Sequence, residues 1–469
     1  MEKQTVDIAI IGTGSAGLYA LSAVRQATNN FVLINGGHQG TTCARVGCMP
    51  SKVLIQIAED YHRRHLFSNI GIQGAEQLRI DIPAVMRQVR KLRDGFVNRV
   101  ISGPITHLRD KIIDGYAEFV EPSVLKVNNQ HIQAKRIIIA TGSTPFIPKA
   151  WHAFKNFILT TDNLFEQEDL PAKMAVLGLG VIGLEIGQAL HRLGIEIVGM
   201  DLLQSIAGIK DPTINEIAID LFQQEFPLWL GEAAELEQLG DKLLVRCGTQ
   251  SILVDKILAS LGRVPNIAGL GIENLGVKLD ARGIPEFNPN TMQIADLPVF
   301  IAGDVNGERP ILHEAGDEGR IAGFNAGQEV VTAFKRKIKL GITFTDPNII
   351  SVGKTWSELE NHTDIIVGKM DFQMQGRALI MSKNKGMIHI YGEKKTGKLL
   401  GAEMIVPHGE HLAHLLAWSI QQDLTVFDLL KMPFYHPVIE EGLQNALYDL
   451  RSQVTQPPES KIVELALLN

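Results

Sequence analysis

The chain has 469 residues, 45% of them hydrophobic and 21% charged, with a formal charge of −7. That length carries enough apolar content for several cores, so three or four domains are expected, and the mild, sign-mixed charge argues against a nucleic-acid or membrane-surface protein. No apolar run reaches the roughly 20 residues of a membrane span, and three cysteines are too few to staple a secreted fold.

The opening "MEKQTVDIAIIGTGSAG" passes from a polar start into a short apolar stretch, without the basic head and cleavable core of a secretory signal. A cytoplasmic location, with small molecules or proteins as partners, is the expectation. Residues 6–11 read as a buried strand, 12–17 as a tight turn, and the stretch from residue 18 as a helix leading to a second strand at 31–34. This is the first half of a doubly wound sheet. In "GTGSAG", Gly12 permits the turn, Gly14 lets backbone approach a pyrophosphate, and Gly17 lets helix pack on strand. The helix start then offers N–H groups and partial positive charge to phosphates. The second strand ends in Asn35 where an acid is expected; an asparagine can hydrogen-bond a ribose, without the strength of a carboxylate.

Next comes "GTTCARVGCMPSKVLIQIAEDYHRR", with Cys43 and Cys48 five residues apart. A disulfide needs its Cα atoms within about 7 Å, and a regular helix separates i and i+5 by roughly 8.6 Å. The pair can bridge only where the backbone leaves the helix, and Gly47 and Pro50 suit such a departure. Cys48 adjoins the apolar run "VLIQIA", whose positive helix end would stabilise a thiolate. Two thiols that can join and part beside a stabilised charge make an electron relay; two inert buried thiols are the other reading. Zinc would want further ligands nearby, and Cys247 in "LLVRCG" reads as a structural strand-end thiol, so no metal is expected.

Residues 82–102 form a charged helix, whose arginine-rich part "VMRQVRKLRDGFVNR" reads as a solvated face or as a docking site for an acidic domain. The strand, glycine turn, helix, strand pattern then recurs over 174–200, with Gly178, Gly180 and Gly183 in the turn. Asp201, eighteen residues after Gly183, can accept hydrogen bonds from ribose hydroxyls and would repel a 2′-phosphate; "LLQSIAG" after it has no arginine, which favours NADH over NADPH. Two such units point to two dinucleotides. Further on, "ILASLGRVPN" and "VFIAGDVNG" are apolar strands running into glycine loops. From about residue 341 alternating segments and two helices, around 411–421 and 440–452, suggest a separate α+β domain. In "FYHPVIEEGLQNALYDL", Pro437 fixes the backbone after His436, and Leu443, Leu447 and Leu450 share a helix face. Histidine is suited to taking and returning a proton near neutrality, which makes His436 the candidate base.

Taken in order, "GTTCARVGCMPSK", the two glycine turns, "ATGS", "IAGD" and "HPVIEE" resemble the class I pyridine nucleotide-disulfide oxidoreductases, the flavoprotein disulfide reductases, over nearly the whole chain and closest to their dihydrolipoamide dehydrogenase branch. The resemblance implies an α/β fold of two Rossmann-like dinucleotide-binding domains plus an α+β C-terminal dimerisation domain. The implied boundaries are 1–148 for the first part of an FAD domain, 149–265 for an NAD domain, 266–340 for a central return segment and 341–469 for the interface. It places FAD at Gly12, Gly14, Gly17, Asn35, Thr42 and Lys52, with Ala117 near the adenine, Thr141 and Gly142 lining the site, Gly303 and Asp304 at the ribityl chain, and Leu312 and His313 beside the flavin ring. It places NAD at Gly178, Gly180, Gly183, Glu185, Asp201 and Gly262, and pairs Lys52 with Glu185. Cys48 would face the flavin and Cys43 the substrate, while His436, held by Glu441, would serve from the partner subunit of a homodimer. Dihydrolipoamide is the implied dithiol, with a lipoyl-bearing acyltransferase as protein partner. An NADH-dependent reductase of another small disulfide, a quinone or a metal ion is the alternative. Phe434 and Val438 stand where those dehydrogenases usually carry histidine and threonine, which makes the dithiol site less polar.

Overall fold

In the computed structural model, which describes residues 2–459 and 462–466, three large sheets carry the chain, beside a three-stranded and a two-stranded one. The first is centred on the strand Glu2–Ile11, which pairs in parallel with Phe31–Asn35 on one side and Gln130–Ile139 on the other. Val124–Val127 and Ala117–Glu121 extend it antiparallel, and Val299–Ile301 returns from far along the chain to pair with Gln130–Ile139. Every residue of Phe31–Asn35 is buried, as a parallel strand covered on both faces requires. Helices Ser15–Ala27 and Leu312–Ala326 lie backbone to backbone on one face. A Cβ on Gly319 would come within 2.3 Å of the Ala16 carbonyl oxygen, and one on Gly323 within 2.4 Å of that of Ala20.

The second sheet holds five parallel strands in the order Leu228–Leu230, Glu196–Asp201, Lys173–Leu177, Lys256–Ala259, Ile158–Leu159. The third is antiparallel, Leu340–Thr343, Asn348–Gly353, Leu399–Val406, Met387–Glu393, Ile365–Asp371, with helices Gly409–Gln421 and Glu440–Ser452 packed through Leu412, Leu416, Leu443, Leu447 and Leu450. The fold is α/β, two dinucleotide-type sheets followed by an α+β unit. None of the helices among the described residues is long and apolar enough to cross a membrane.

Buried polar joints lock these units. Asp211 caps the helix Pro212–Gln223 and also meets His389 Nδ1 at 2.7 Å and the Tyr391 hydroxyl at 2.9 Å, fastening the second unit to the third sheet. Burial and the carboxylates of Glu403 and Asp211 push the Tyr391 phenol well above its ordinary range, so it stays a donor. The arginine-rich helix Ile82–Val100 departs from the solvated-face reading on one side. Arg93 is buried and its guanidinium holds Glu166, while Arg90 donates to the Gln167 carbonyl.

In the return segment Glu318 is fully buried. Its Oε2 accepts from the Gly303 N–H and from Asn306 Nδ2, both at 2.7 Å, and its Oε1 meets Arg336 at 2.7 Å. Glu314, one turn earlier, shares the same guanidinium at 2.7 Å. Arg336 thus bridges two buried carboxylates, with Arg309 also reaching Glu314 at 2.9 Å, and the cluster fixes the loop carrying Gly303 and Asp304. Breaking a buried ion pair by removing one partner costs about 3–5 kcal/mol. Arg336→Ala is therefore expected to lower the thermal unfolding midpoint by several degrees, with Arg336→Lys intermediate; an unchanged midpoint in a thermal melt would show that the cluster carries no stability.

Candidate active site

The two glycine turns have one geometry. Gly12 and Gly178 have φ of +108° and +91°, and a Cβ on either would strike the carbonyl oxygen of the neighbouring strand's end, Ala140 at 2.3 Å or Ser260 at 2.5 Å. Gly17 and Gly183 sit 2.0 and 1.9 Å, measured from such a Cβ, from the carbonyl oxygens of Gly12 and Gly178. Gly14 and Gly180 cap the helices Ser15–Ala27 and Val181–Arg192, and at both a Cβ would meet nothing within 4 Å. Neither helix start is capped by a side chain or carries an acid in its first turn. Two sets of unclaimed N–H groups thus open on free space, the cradle that a pyrophosphate fills.

The residues ending the second strand of each unit brace these turns. Asp201 accepts from the N–H of Leu179 at 2.6 Å and of Leu203 at 2.8 Å. Asn35 accepts from the Thr13 hydroxyl at 2.8 Å and donates to the Gly37 carbonyl at 2.7 Å. Each holds the residue just after the first glycine. An amide suffices in the first unit because Thr13 brings a hydroxyl where the second unit offers only backbone.

The cysteines lie across a broken helix. Thr42–Val46 ends and Cys48–His62 begins at Gly47, whose φ −124° and ψ −120° are not helical, and a Cβ there would press on the Thr42 carbonyl oxygen at 3.1 Å and the Cys43 Cα at 3.2 Å. The two thiols stand close enough to set each other's protonation. Interaction with the Cys43 thiol lowers the Cys48 pKa to about 7 against the opposing effect of desolvation, although Cys48 is exposed at the surface; the Lys52 charge and the Cys48 N–H help. Cys43, interacting with Cys48 and partly buried, is pushed well up. The helix start on which the sequence reading leaned is thus the lesser contributor, and the partner thiol the greater.

Lys52, one turn along, meets Glu185 at 2.6 Å and lies 4.7 Å from the centroid of the Phe344 ring. Glu185 is 4% exposed and its other oxygen accepts the Phe344 N–H at 2.7 Å. Thr42 is the exposed first residue of its short helix. Thr141 and Asn266 exchange two hydrogen bonds, 2.7 and 2.9 Å, beside Gly142, which has a φ of +71°. Asp304 accepts from the Ser143 hydroxyl at 2.8 Å, and Ser143 is held in turn by Arg263, the residue after Gly262. Ala117 is buried, whereas Leu312 and His313 are exposed at the start of the helix Leu312–Ala326. Cys247 is buried, and its thiol, raised by burial, reaches the Glu232 carbonyl at 3.6 Å.

His436 stands apart. Its ring is 81% exposed, and Nδ1 lies 2.8 Å from Glu441 Oε1. The bond to His436 and the N–H of Val438 hold the Glu441 carboxyl below its ordinary value. An anionic Glu441 keeps the proton on Nδ1 and leaves Nε2 as the free base. Within the chain no hydrogen bond or ion pair among the described residues joins His436 to either cysteine of the pair. The Glu318, Glu314 and Arg336 cluster, which sets the loop bearing Asp304, was absent from the sequence reading. The acid-x-x-x-acid spacing on the helix Leu312–Ala326 is its one local sign.

Residues 6–319 match the family model described as pyridine nucleotide-disulphide oxidoreductase, and residues 340–447 match its dimerisation domain. The chain is 30% identical to a dihydrolipoyl dehydrogenase of Thermus scotoductus, covering 96% of this chain and 98% of that one. It is 28% identical to a mercuric reductase of Staphylococcus aureus, covering 96% of this chain and 83% of the relative. The LpdA structure from Mycobacterium tuberculosis superposes with a TM-score of 0.83 at 22% identity, covering 96% of this chain and all of that one. A Cu(II) complex of the HOCl-induced flavoprotein disulfide reductase RclA from Escherichia coli superposes at 0.82 and 21%, covering 95% and 99%.

The interaction with Cys43 carries a direct expectation. In Cys43→Ala, the pH midpoint of Cys48 alkylation by iodoacetamide should rise from about 7 toward the ordinary thiol range of about 8.5. A midpoint that stays near neutrality would transfer the effect to Lys52 and the helix start.

Proposed function

Since the chain belongs to the pyridine nucleotide-disulphide oxidoreductase family, whose members use FAD and NAD(H), we propose that it oxidises dihydrolipoamide with NAD⁺ through the Cys43–Cys48 pair. The observation that carries this reading is the thiol pair itself, Cys43 and Cys48 on either side of the Gly47 break, with Lys52 one turn along and held by Glu185. Bound FAD would supply the two-electron exchange between the thiols and the nicotinamide. Gly12, Gly14 and Gly17 would hold its pyrophosphate and Asp304 its ribityl chain, while Gly178, Gly180 and Gly183 would hold that of NAD(H).

The protein's own part is thiol exchange. A substrate thiolate attacks Cys43 of the closed pair and forms a mixed disulfide, and Cys48 leaves. Its low pKa makes it the better leaving group of the two sulfurs. The second substrate thiolate attacks the sulfur bound to Cys43, closes the lipoamide ring and releases Cys43. Two electrons and two protons have then passed from the dithiol to the protein. A base must take the protons, and Nε2 of His436, oriented by Glu441, is suited to it. His436 is solvent-facing within its own chain and lies inside the dimerisation domain, which supports its action on the cysteines of a second copy. Free reactive thiols fit a reducing compartment, and we place the enzyme in the cytoplasm.

Steady-state oxidation of dihydrolipoamide by the purified flavoprotein, with NAD⁺ and NADP⁺ in parallel, tests the proposal. Fast NAD⁺-specific turnover is expected. Negligible turnover, with NADH still reducing the bound flavin, would overturn lipoamide and point to another disulfide, a quinone or a metal ion. His436→Gln should reduce turnover about 10²- to 10⁴-fold. Mixed dimers of His436→Gln and Cys43→Ser subunits should recover part of the activity that each parent lacks, and no recovery would refute site sharing.

A further inference from the structure

Between the helix Cys48–His62 and the third sheet lies a cavity of about 330 Å³. Three of its carboxylates have cationic partners: Glu185 pairs with Lys52, Glu59 with Lys383, and Asp346 with Lys383 and Arg192. Glu410, on the same wall, meets no lysine or arginine among the described residues. Its Oε2 is shut off from solvent and has no hydrogen-bond partner there, and the same holds for Oδ1 of Asn348 on that wall. Shielded acceptors without a donor are costly, and a bound cation or water is the usual remedy.

Two imidazoles stand beside this carboxylate. The ligating atoms of His408, Glu410 and His411 all lie within 4.8 Å of one another. His408 sits in the left-handed region, φ 51° and ψ 32°, just ahead of the helix Gly409–Gln421, and that bend sets its ring nearly parallel to His411. Residues with a side chain adopt this conformation uncommonly, histidine more readily than most. His411 Nε2 and Glu410 Oε1 are 3.8 Å apart, too far for a hydrogen bond. Ligands about a tetrahedral ion, bound at about 2.1 Å, would be separated by roughly 3.4 Å. The positive helix start opposes a cation, and the otherwise unpaired Glu410 supplies the offsetting charge.

We propose that His408, Glu410 and His411 bind a divalent transition cation of the zinc class, with two imidazoles and one carboxylate as ligands and the remaining position open to the cavity. The sequence reading expected no metal because it sought ligands around the cysteines.

The test uses the oxidised holoenzyme, in which the Cys43–Cys48 disulfide cannot act as a thiolate ligand, titrated with Zn²⁺ against a chromogenic chelator. One Zn²⁺ per chain is expected. Its affinity should fall at least about a hundredfold in His408→Ala/His411→Ala and clearly in Glu410→Gln, with flavin content unchanged. Cu²⁺ bound at the same site should show nitrogen hyperfine coupling in its paramagnetic resonance spectrum, absent from the double variant. No Zn²⁺ bound by the wild type, or equal affinity in the double variant, would overturn the site.

Discussion

A charge at Cys48 is the constraint on which the site depends. A thiolate near neutral pH needs donors close by and a cation within reach, and both come from a few residues of chain: Cys43 across the Gly47 break and Lys52 one turn along. The break is what makes the first of these available. A continuous helix would carry the two sulfurs to different faces. With Gly47 non-helical and packed against the Cys43 backbone, they stand close together.

Lys52 could not hold this position alone. A cation beside a partly shielded thiolate needs its own restraint, and Glu185 provides it from the second dinucleotide unit. The same carboxylate accepts the backbone N–H of Phe344 from the C-terminal unit, and the Phe344 ring lies against the Lys52 ammonium. One nearly buried side chain therefore joins the redox helix, the second glycine-turn helix and the dimerisation domain. Rigid-body slippage between the units would expose it unpaired, so chemistry and domain docking share one electrostatic condition.

The two glycine turns show how much freedom that arrangement leaves. Their first and third glycines are fixed by contacts of about 2 Å that no Cβ could survive. The brace behind them is free to vary, provided donor and acceptor match: Thr13 with Asn35 in one unit, the Leu179 N–H with Asp201 in the other. The missing acid at residue 35 is thus a local exchange of hydrogen-bond roles, with the turn itself unaltered.

Features that lie within about a dozen residues of each other were legible from the chain. The glycine turns and the Cys43–Cys48 pair with its glycine break have spacings that backbone geometry makes meaningful, whereas the His436–Glu441 couple was legible only through the family resemblance. What tertiary structure decided involves partners far apart in sequence, where no periodicity marks the pair. Arg93 with Glu166, Asp211 with His389, and the Glu185 bond to Phe344 join residues 73, 178 and 159 positions apart. Even the Glu314 and Glu318 pair, visible on one helix, had no meaning until Arg336 folded back over both. His408 and His411 are close in sequence, but only the left-handed backbone at His408 sets their rings side by side, and no periodicity of the chain marks that bend. Local spacing determines which groups can meet along a turn or a helix, whereas the burial that leaves a charge in need of a partner exists only once the sheets have closed around it.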